Sequence, residues 1–271
     1  MTSIDLTTSG EVTFRRNFLL AALASGLVLC GLFSIFPGID IAVSSALRSA
    51  CGGDDRHSGW CHENGLLMVP RYLAIAFTVL TCAATLYIAM RTFRQTAPAA
   101  PFVRARCLFL LVAIAIGPGL LANVILKDHW GRARPREVVQ FGGTKTFTPP
   151  HVPSNECQDN CSFVSGEAAA VYTPFFAAAL LFPQVRFALL SGGVLAGVAA
   201  GLVRVSTGGH FLSDILFAGV FMALMVAVTY AVMFGVRERL KVASVSPLEP
   251  SLGSGWNAGF FTAANEVRGK Q

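Results

Sequence analysis

An arginine, a histidine and an aspartate fall together in R-V-S-T-G-G-H-F-L-S-D, Arg204 to Asp214, at the junction of two long apolar runs. Imidazole serves as nucleophile or base near neutral pH, and it needs a partner that fixes which ring nitrogen is free to react. If a helix begins near His210, Asp214 lies one turn further along the same face, where its carboxylate can accept one ring N–H. Arg204 precedes the tight Ser206-Thr207-Gly208-Gly209 turn, and a planar guanidinium matches phosphate geometry better than an ammonium does. Upstream, K-D-H-W-G-R-A-R-P sets Lys127 and Arg134-Pro135 at the end of another apolar run, two cations at a spacing that suits an anion. A third piece, S-F-V-S-G-E, places Ser165 and Gly166 at the start of an apolar helix, whose first N–H groups have no intrahelical acceptor. Cations, free amides and a prepared imidazole together spell phosphoryl transfer.

In that order, K-x6-R-P, then S-G-x, then R-x5-H-x3-D, the three pieces resemble the signature of the type 2 phosphatidic acid phosphatase family, membrane lipid-phosphate phosphatases related to vanadium haloperoxidases. The resemblance runs from Lys127 to Asp214. It implies that Lys127, Arg134, Ser165, Gly166 and Arg204 bind phosphate, that His210 is the nucleophile and that Asp214 orients it. The middle piece departs from the family's P-S-G-H, because Glu167 stands where the family carries its leaving-group acid. Glu167 is thus the candidate acid, with His129 the second choice and His151 also weighed. No metal-ligand cluster lies in reach of these residues, so the reading implies neither metal nor other cofactor.

These residues must be positioned by a membrane protein. The 271-residue chain is 54% hydrophobic and 13% charged, with mean hydropathy +0.59, too apolar for an ordinary soluble domain. Runs near the roughly 20 apolar residues of a bilayer span occur at Asn17–Phe36, Tyr72–Met90, Cys107–Leu126, Phe163–Phe182, Phe187–Val203 and Ile215–Gly235. The fold class expected is all-α, a six-span helical bundle at 14–236, flanked by a disordered segment 1–13 and a polar cytoplasmic tail 237–271. F-R-R-N-F-L-L resembles a twin-arginine export signal, but the long apolar run after it reads as an uncleaved anchor. The net charge of +6 resides in placement rather than in a nucleic-acid-binding patch. Arg15 and Arg16, then Arg91 to Arg106, Arg186, and Arg237 to Lys241 all fall on one side of six spans. By the positive-inside rule both termini are cytoplasmic.

The motif pieces then share the opposite, periplasmic face of a bacterial inner membrane. Lys127, Arg132, Arg134 and Arg136 violate the charge rule there, and phosphate binding accounts for them. Cys51, Cys61, Cys157 and Cys161 are also external, which suits local disulfides 51–61 and 157–161; a zinc site at Cys51, His57, Cys61 and His62 is the rival reading. Ile39–Ala50 has the spacing of an amphipathic interfacial helix that guides lipid, or of a plain loop helix. Arg71 reads as snorkelling to head groups in preference to joining the site. The segment Arg136–Ser162 is long enough for a lid or substrate-selecting loop.

The expected function is hydrolysis of a phosphomonoester on a membrane lipid, lipid A or lipopolysaccharide by preference, through a phosphohistidine. The alternatives are an undecaprenyl-diphosphate or phosphatidylglycerophosphate phosphatase, a lipid-to-lipid phosphotransferase, or a non-catalytic lipid-phosphate binder. The partners expected are the lipid substrate and the bilayer, with no nucleic acid.

Overall fold

The computed structural model describes residues 3–51, 60–61 and 68–235. His57 and His62, half of the rival zinc site, lie outside the described residues, as does the tail 237–271. No strand occurs among the described residues; the architecture is an all-α bundle.

Helix α1 spans Ser3–Ile35 and ends at Pro37-Gly38, which begins the short α2, Gly38–Ala50. Helices α3, Val69–Phe93, and α4, Ala100–Ile114, each start with a proline in the first turn, where its fixed φ fits and no N–H is needed. The chain runs on from α4 through a π-wound stretch, Ala115–Leu126, and a last turn α5, Lys127–His129. Pro118 lies inside that stretch and cannot donate in an α ladder, so wider winding accommodates it. After an irregular segment come α6, Gly166–Leu181, α7, Arg186–Ser206, and α8, Leu212–Tyr230.

Among the described residues, five helical stretches are long and apolar enough to cross a membrane: Ser9–Ile35, Val69–Phe93, Ala100–His129, Pro183–Ser206 and Leu212–Gly235. Their outward faces carry Leu27, Leu73, Leu80 and Leu195 in the open, a surface only lipid would tolerate. The expected fourth span is shorter, 16 residues, about 24 Å at helical rise. Its position explains its length and composition. Helix α6 is the hub, packed by α3, α4, α7, α8 and the π stretch, and alanines at 168, 169, 177 and 179 let those neighbours close on it. Tyr172 and Phe176 fill the larger gaps, in one apolar core with Ile215, Ala218 and Met222 of α8.

The N-terminal residues differ from expectation. Helix α1 begins well before the apolar run, and Glu11 pairs with Arg186 while Phe14 meets Phe187 edge-on, contacts that hold a helix where composition reads as disorder.

Candidate active site

The site forms where the last turn of the α4 stretch, the first turn of α6, the last turn of α7 and the loop before α8 meet. Gly208, at φ +67, turns the chain out of α7; a Cβ there would also lie 2.6 Å from the Trp60 ring. Helix α8 starts only at Leu212, so His210 precedes the helix and is not on its face. Asp214 is the third helical residue and caps α8 through the Phe211 N–H, 2.8 Å from its Oδ2.

This geometry corrects the expected His–Asp pairing. His210 Nδ1 lies 2.6 Å from the Ser162 carbonyl and 3.8 Å from Asp214 Oδ2. The carbonyl accepts only, so Nδ1 carries the proton and Nε2 is the nitrogen with a free lone pair. Asp214 acts on the ring through its charge and through Ser162, whose hydroxyl donates to Asp214 Oδ2 at 2.5 Å. Burial pushes His210 below its ordinary value of 6.5, against the pull of Asp214, which keeps the ring neutral and nucleophilic.

Two of the expected phosphate ligands border this ring, and a third lies beside them. Lys127, Arg134 and Arg204 lie within electrostatic reach of one another, and Lys127 and Arg204 also of His210. Arg134 is braced by the Asn160 carbonyl, 3.0 Å from its Nε, and Arg204 by the Thr207 hydroxyl at 3.2 Å. Cys161 N–H donates to the Lys127 carbonyl at 3.2 Å, and the 157–161 disulfide closes that loop. The other expected pair, 51–61, is also bonded, and Cys61 N–H donates to the Ser206 carbonyl at the end of α7.

The start of α6 differs in detail. Ser165 caps the helix with its hydroxyl, and its own N–H donates to the Asp214 carbonyl at 3.2 Å, so that amide is not offered to phosphate. Gly166 lies against the π stretch; a Cβ there would come 2.2 Å from Asn123 Oδ1, whose amide is held by the Pro118 carbonyl. Glu167 bridges two guanidinium groups, with Oε1 3.1 Å from Arg71 Nε and 3.4 Å from Arg204 Nε. That makes one oxygen of Glu167 the shared ion-pair acceptor of two arginines. It also corrects Arg71, which joins the site and does not snorkel away. His129 turns its Nδ1 to the Ile125 carbonyl of its own helix, and His151 sits beside Ser34 of α1; neither is drawn to His210.

Arg132 is the largest correction. Expected to face phosphate, it is fully buried, donating to the Thr148 carbonyl, Ser213 Oγ, Asp214 Oδ1 and Asp40 Oδ2. The segment Trp130–Ser165 packs as a cap: Ala133, Val138, Phe141 and Phe211 form a second apolar cluster with Ile41, Trp60 and Phe147. Asp40 and Ser162 escaped sequence reading. The signal for Asp40 was an acid on the inner face of an otherwise apolar and small-residue helix; Ser162 acts through its carbonyl and hydroxyl, and its letter carries no signal.

Between α3 and α6 a cleft of about 350 Å³ leads to Lys127 and Glu167, walled by Ala74, Ile75, Val79 and Ala170. Its polar end carries Lys127, Glu167 and Asn123 over an apolar wall, a lining suited to an amphiphile.

A fold of this kind, with that motif order at one end of the bundle, defines a lipid-phosphate phosphatase class, and the family model described as the PAP2 superfamily matches residues 106–238. The chain belongs to the PAP2 superfamily. Among its relatives, the lipid A 4'-phosphatase of Francisella tularensis subsp. novicida is 37% identical, covering 79% of this chain and 96% of that protein. The lipid A 4'-phosphatase of Rhizobium etli is 35% identical, covering 69% of this chain and 76% of its own. The lipid A 1-phosphatase of Rhizobium etli is 36% identical over 45% of this chain and 49% of its own. No solved structure matches the chain.

Proposed function

We propose that this chain is a lipid A phosphatase that removes the 4'-phosphate at the periplasmic face of a bacterial inner membrane, through a phosphohistidine on His210. The observation that carries the chemistry is the free Nε2 of a buried, neutral histidine, fixed by the Ser162 carbonyl and bordered by Lys127 and Arg204. The choice of the 4' position rests on relatives of that name aligned over most of both chains.

In this reading Lys127, Arg134 and Arg204 hold the phosphoryl oxygens and stabilise their charge in the transition state. The amides of Gly166 and Glu167, ahead of the first intrahelical acceptor, add to the cradle. His210 Nε2 attacks phosphorus, the N–P bond forms and the P–O bond to the sugar breaks; Asp214 stabilises the positive ring. Water then attacks phosphorus, returning the histidine and releasing phosphate. Glu167 holds Arg71 and Arg204 in place, and the departing sugar oxygen takes its proton from water in the cleft. The two disulfides, both at the site's end of the bundle, support an oxidising compartment on that side.

The test is phosphate release by purified protein from lipid A, a prenyl diphosphate and phosphatidylglycerophosphate, with mass analysis of the product. The reading expects lipid A lacking its 4'-phosphate as the main product and none with His210→Ala. Preference for either other lipid, or release that survives His210→Ala, contradicts it. Because side chains supply the positive charge, chelator leaves release intact; activity lost in chelator and restored by Mg²⁺ contradicts that point.

A further inference from the structure

Helix α2 lies outside every motif, yet it places one charge beneath the catalytic loop. Asp40 is fully buried, as are Arg132, Ser213 and Asp214. Its Oδ1 accepts the Ser213 N–H at 2.9 Å; its Oδ2 accepts the Ser213 hydroxyl at 2.5 Å and Arg132 at 2.8 Å. Arg132 passes the contact on to Asp214 Oδ1 at 2.5 Å, and its backbone carbonyl accepts the Ser162 N–H at 2.9 Å. Asp214 Oδ2 then holds the Ser162 hydroxyl, and the Ser162 carbonyl holds His210. One unbroken chain of hydrogen bonds thus runs from α2 to the reactive imidazole.

We infer that Asp40 and Arg132 are positioning residues for His210, and that α2 serves as a clamp setting the ring's angle of attack. The inference rests on His210 being the nucleophile. A single cation shared between two buried carboxylates fixes both, whereas either carboxylate alone with Arg132 would leave donors of the guanidinium and of Ser213 unpaired. The far end of α2 is also tied down: Cys51 is bonded to Cys61, and Arg48 lies over the Trp60 and Phe141 rings. A clamp held at both ends accounts for α2 better than lipid guidance does, because Asp40 and Ser44 are buried, Ile39, Val43 and Leu47 pack on the core, and small residues such as Ala42, Ser45 and Ala46 are left outward.

The experiment compares Asp40→Asn, Asp40→Ala and Ser44→Ala in the full-length chain in detergent, scoring kcat and KM per folded molecule, with wild type and His210→Ala alongside. Ser44 shares the buried face of α2 but its hydroxyl has no hydrogen-bond partner among the described residues, so its loss tests packing alone. Expected are a kcat lower by about tenfold in Asp40→Asn and about 10²-fold in Asp40→Ala, in line with the cost of small misplacements of a reacting group. KM stays within about twofold and Ser44→Ala matches wild type, since the phosphate ligands are untouched. Should Asp40→Ala fail to fold, the isosteric Asp40→Asn decides. Wild-type kcat in Asp40→Asn, or a drop matched by Ser44→Ala, overturns the clamp. An inactive wild type, or an active His210→Ala, instead overturns the assignment of His210 itself.

Discussion

Two polar regions meet at His210, and they are built on opposite plans. Behind the ring, Asp40, Arg132, Ser213 and Asp214 are fully buried and satisfy one another. In front, Lys127, Arg134 and Arg204 crowd together with Arg71; Glu167 answers Lys127, Arg71 and Arg204, Asp128 also faces Lys127, and Glu137 faces Arg134. The rear cluster is closed and has nothing left to bind; its value is orientation. The front cluster carries like charges close together, an arrangement that an incoming phosphate dianion would relieve. In the proposed mechanism the contrast separates residues that hold the nucleophile from residues that hold the substrate.

That division is easiest to break at its centre. His210→Ala should lower phosphate release by roughly 10⁴-fold or more, because no other group supplies the attacking lone pair; a smaller loss points to another nucleophile. Arg132→Met should be the most damaging change behind the ring, costing about 3–5 kcal/mol of stability, since two carboxylates lose their shared cation. Thermal unfolding in detergent reads that directly. In front, Arg204→Lys should keep the fold and lose roughly 10²-fold in kcat, as removal of one charge-stabilising donor does, and Glu167→Gln should lose less. Full turnover in Glu167→Gln would leave Glu167 with neither an acid's nor a bridging role.

The pH dependence sharpens the same comparison. His210 is held below 6.5 by burial, so the neutral nucleophile persists into mild acid and activity falls only as pH drops through that lowered value. Between the lowered value and 6.5 the unfolded chain binds more protons than the folded one. Stability from this residue is therefore present above 6.5 and lost as pH falls through that window. An acid limb centred above 6.5 would mean that Asp214 outweighs burial.

The front of the site was the more legible in sequence, because cations at a recognisable spacing stand at the ends of long apolar runs. The helices were legible for the same reason: bilayer spans are long and continuous, and only α6, shielded by its neighbours, is shorter than the expected span. The rear cluster was not legible. Arg132 and Arg134 are two residues apart and look alike in sequence, yet one is buried against Asp40 and the other braced by the Asn160 carbonyl near Lys127 and Arg204. Only the packing of α2 tells them apart, and that is a long-range fact. Likewise Asp214 suggested a direct bond to His210, but α8 begins two residues after His210, and a Ser162 carbonyl, invisible in a side-chain pattern, takes the role.

The central claim is that His210 Nε2 forms a bond to the substrate's phosphorus. Lipid A labelled with ³²P at the 4' position, mixed with enzyme and quenched in alkali within a turnover, measures it. The account predicts acid-labile, alkali-stable label on the protein that maps to the peptide containing His210 and is missing from His210→Ala. Label that remains in His210→Ala, or turnover with no protein-bound phosphate at any time, would contradict it.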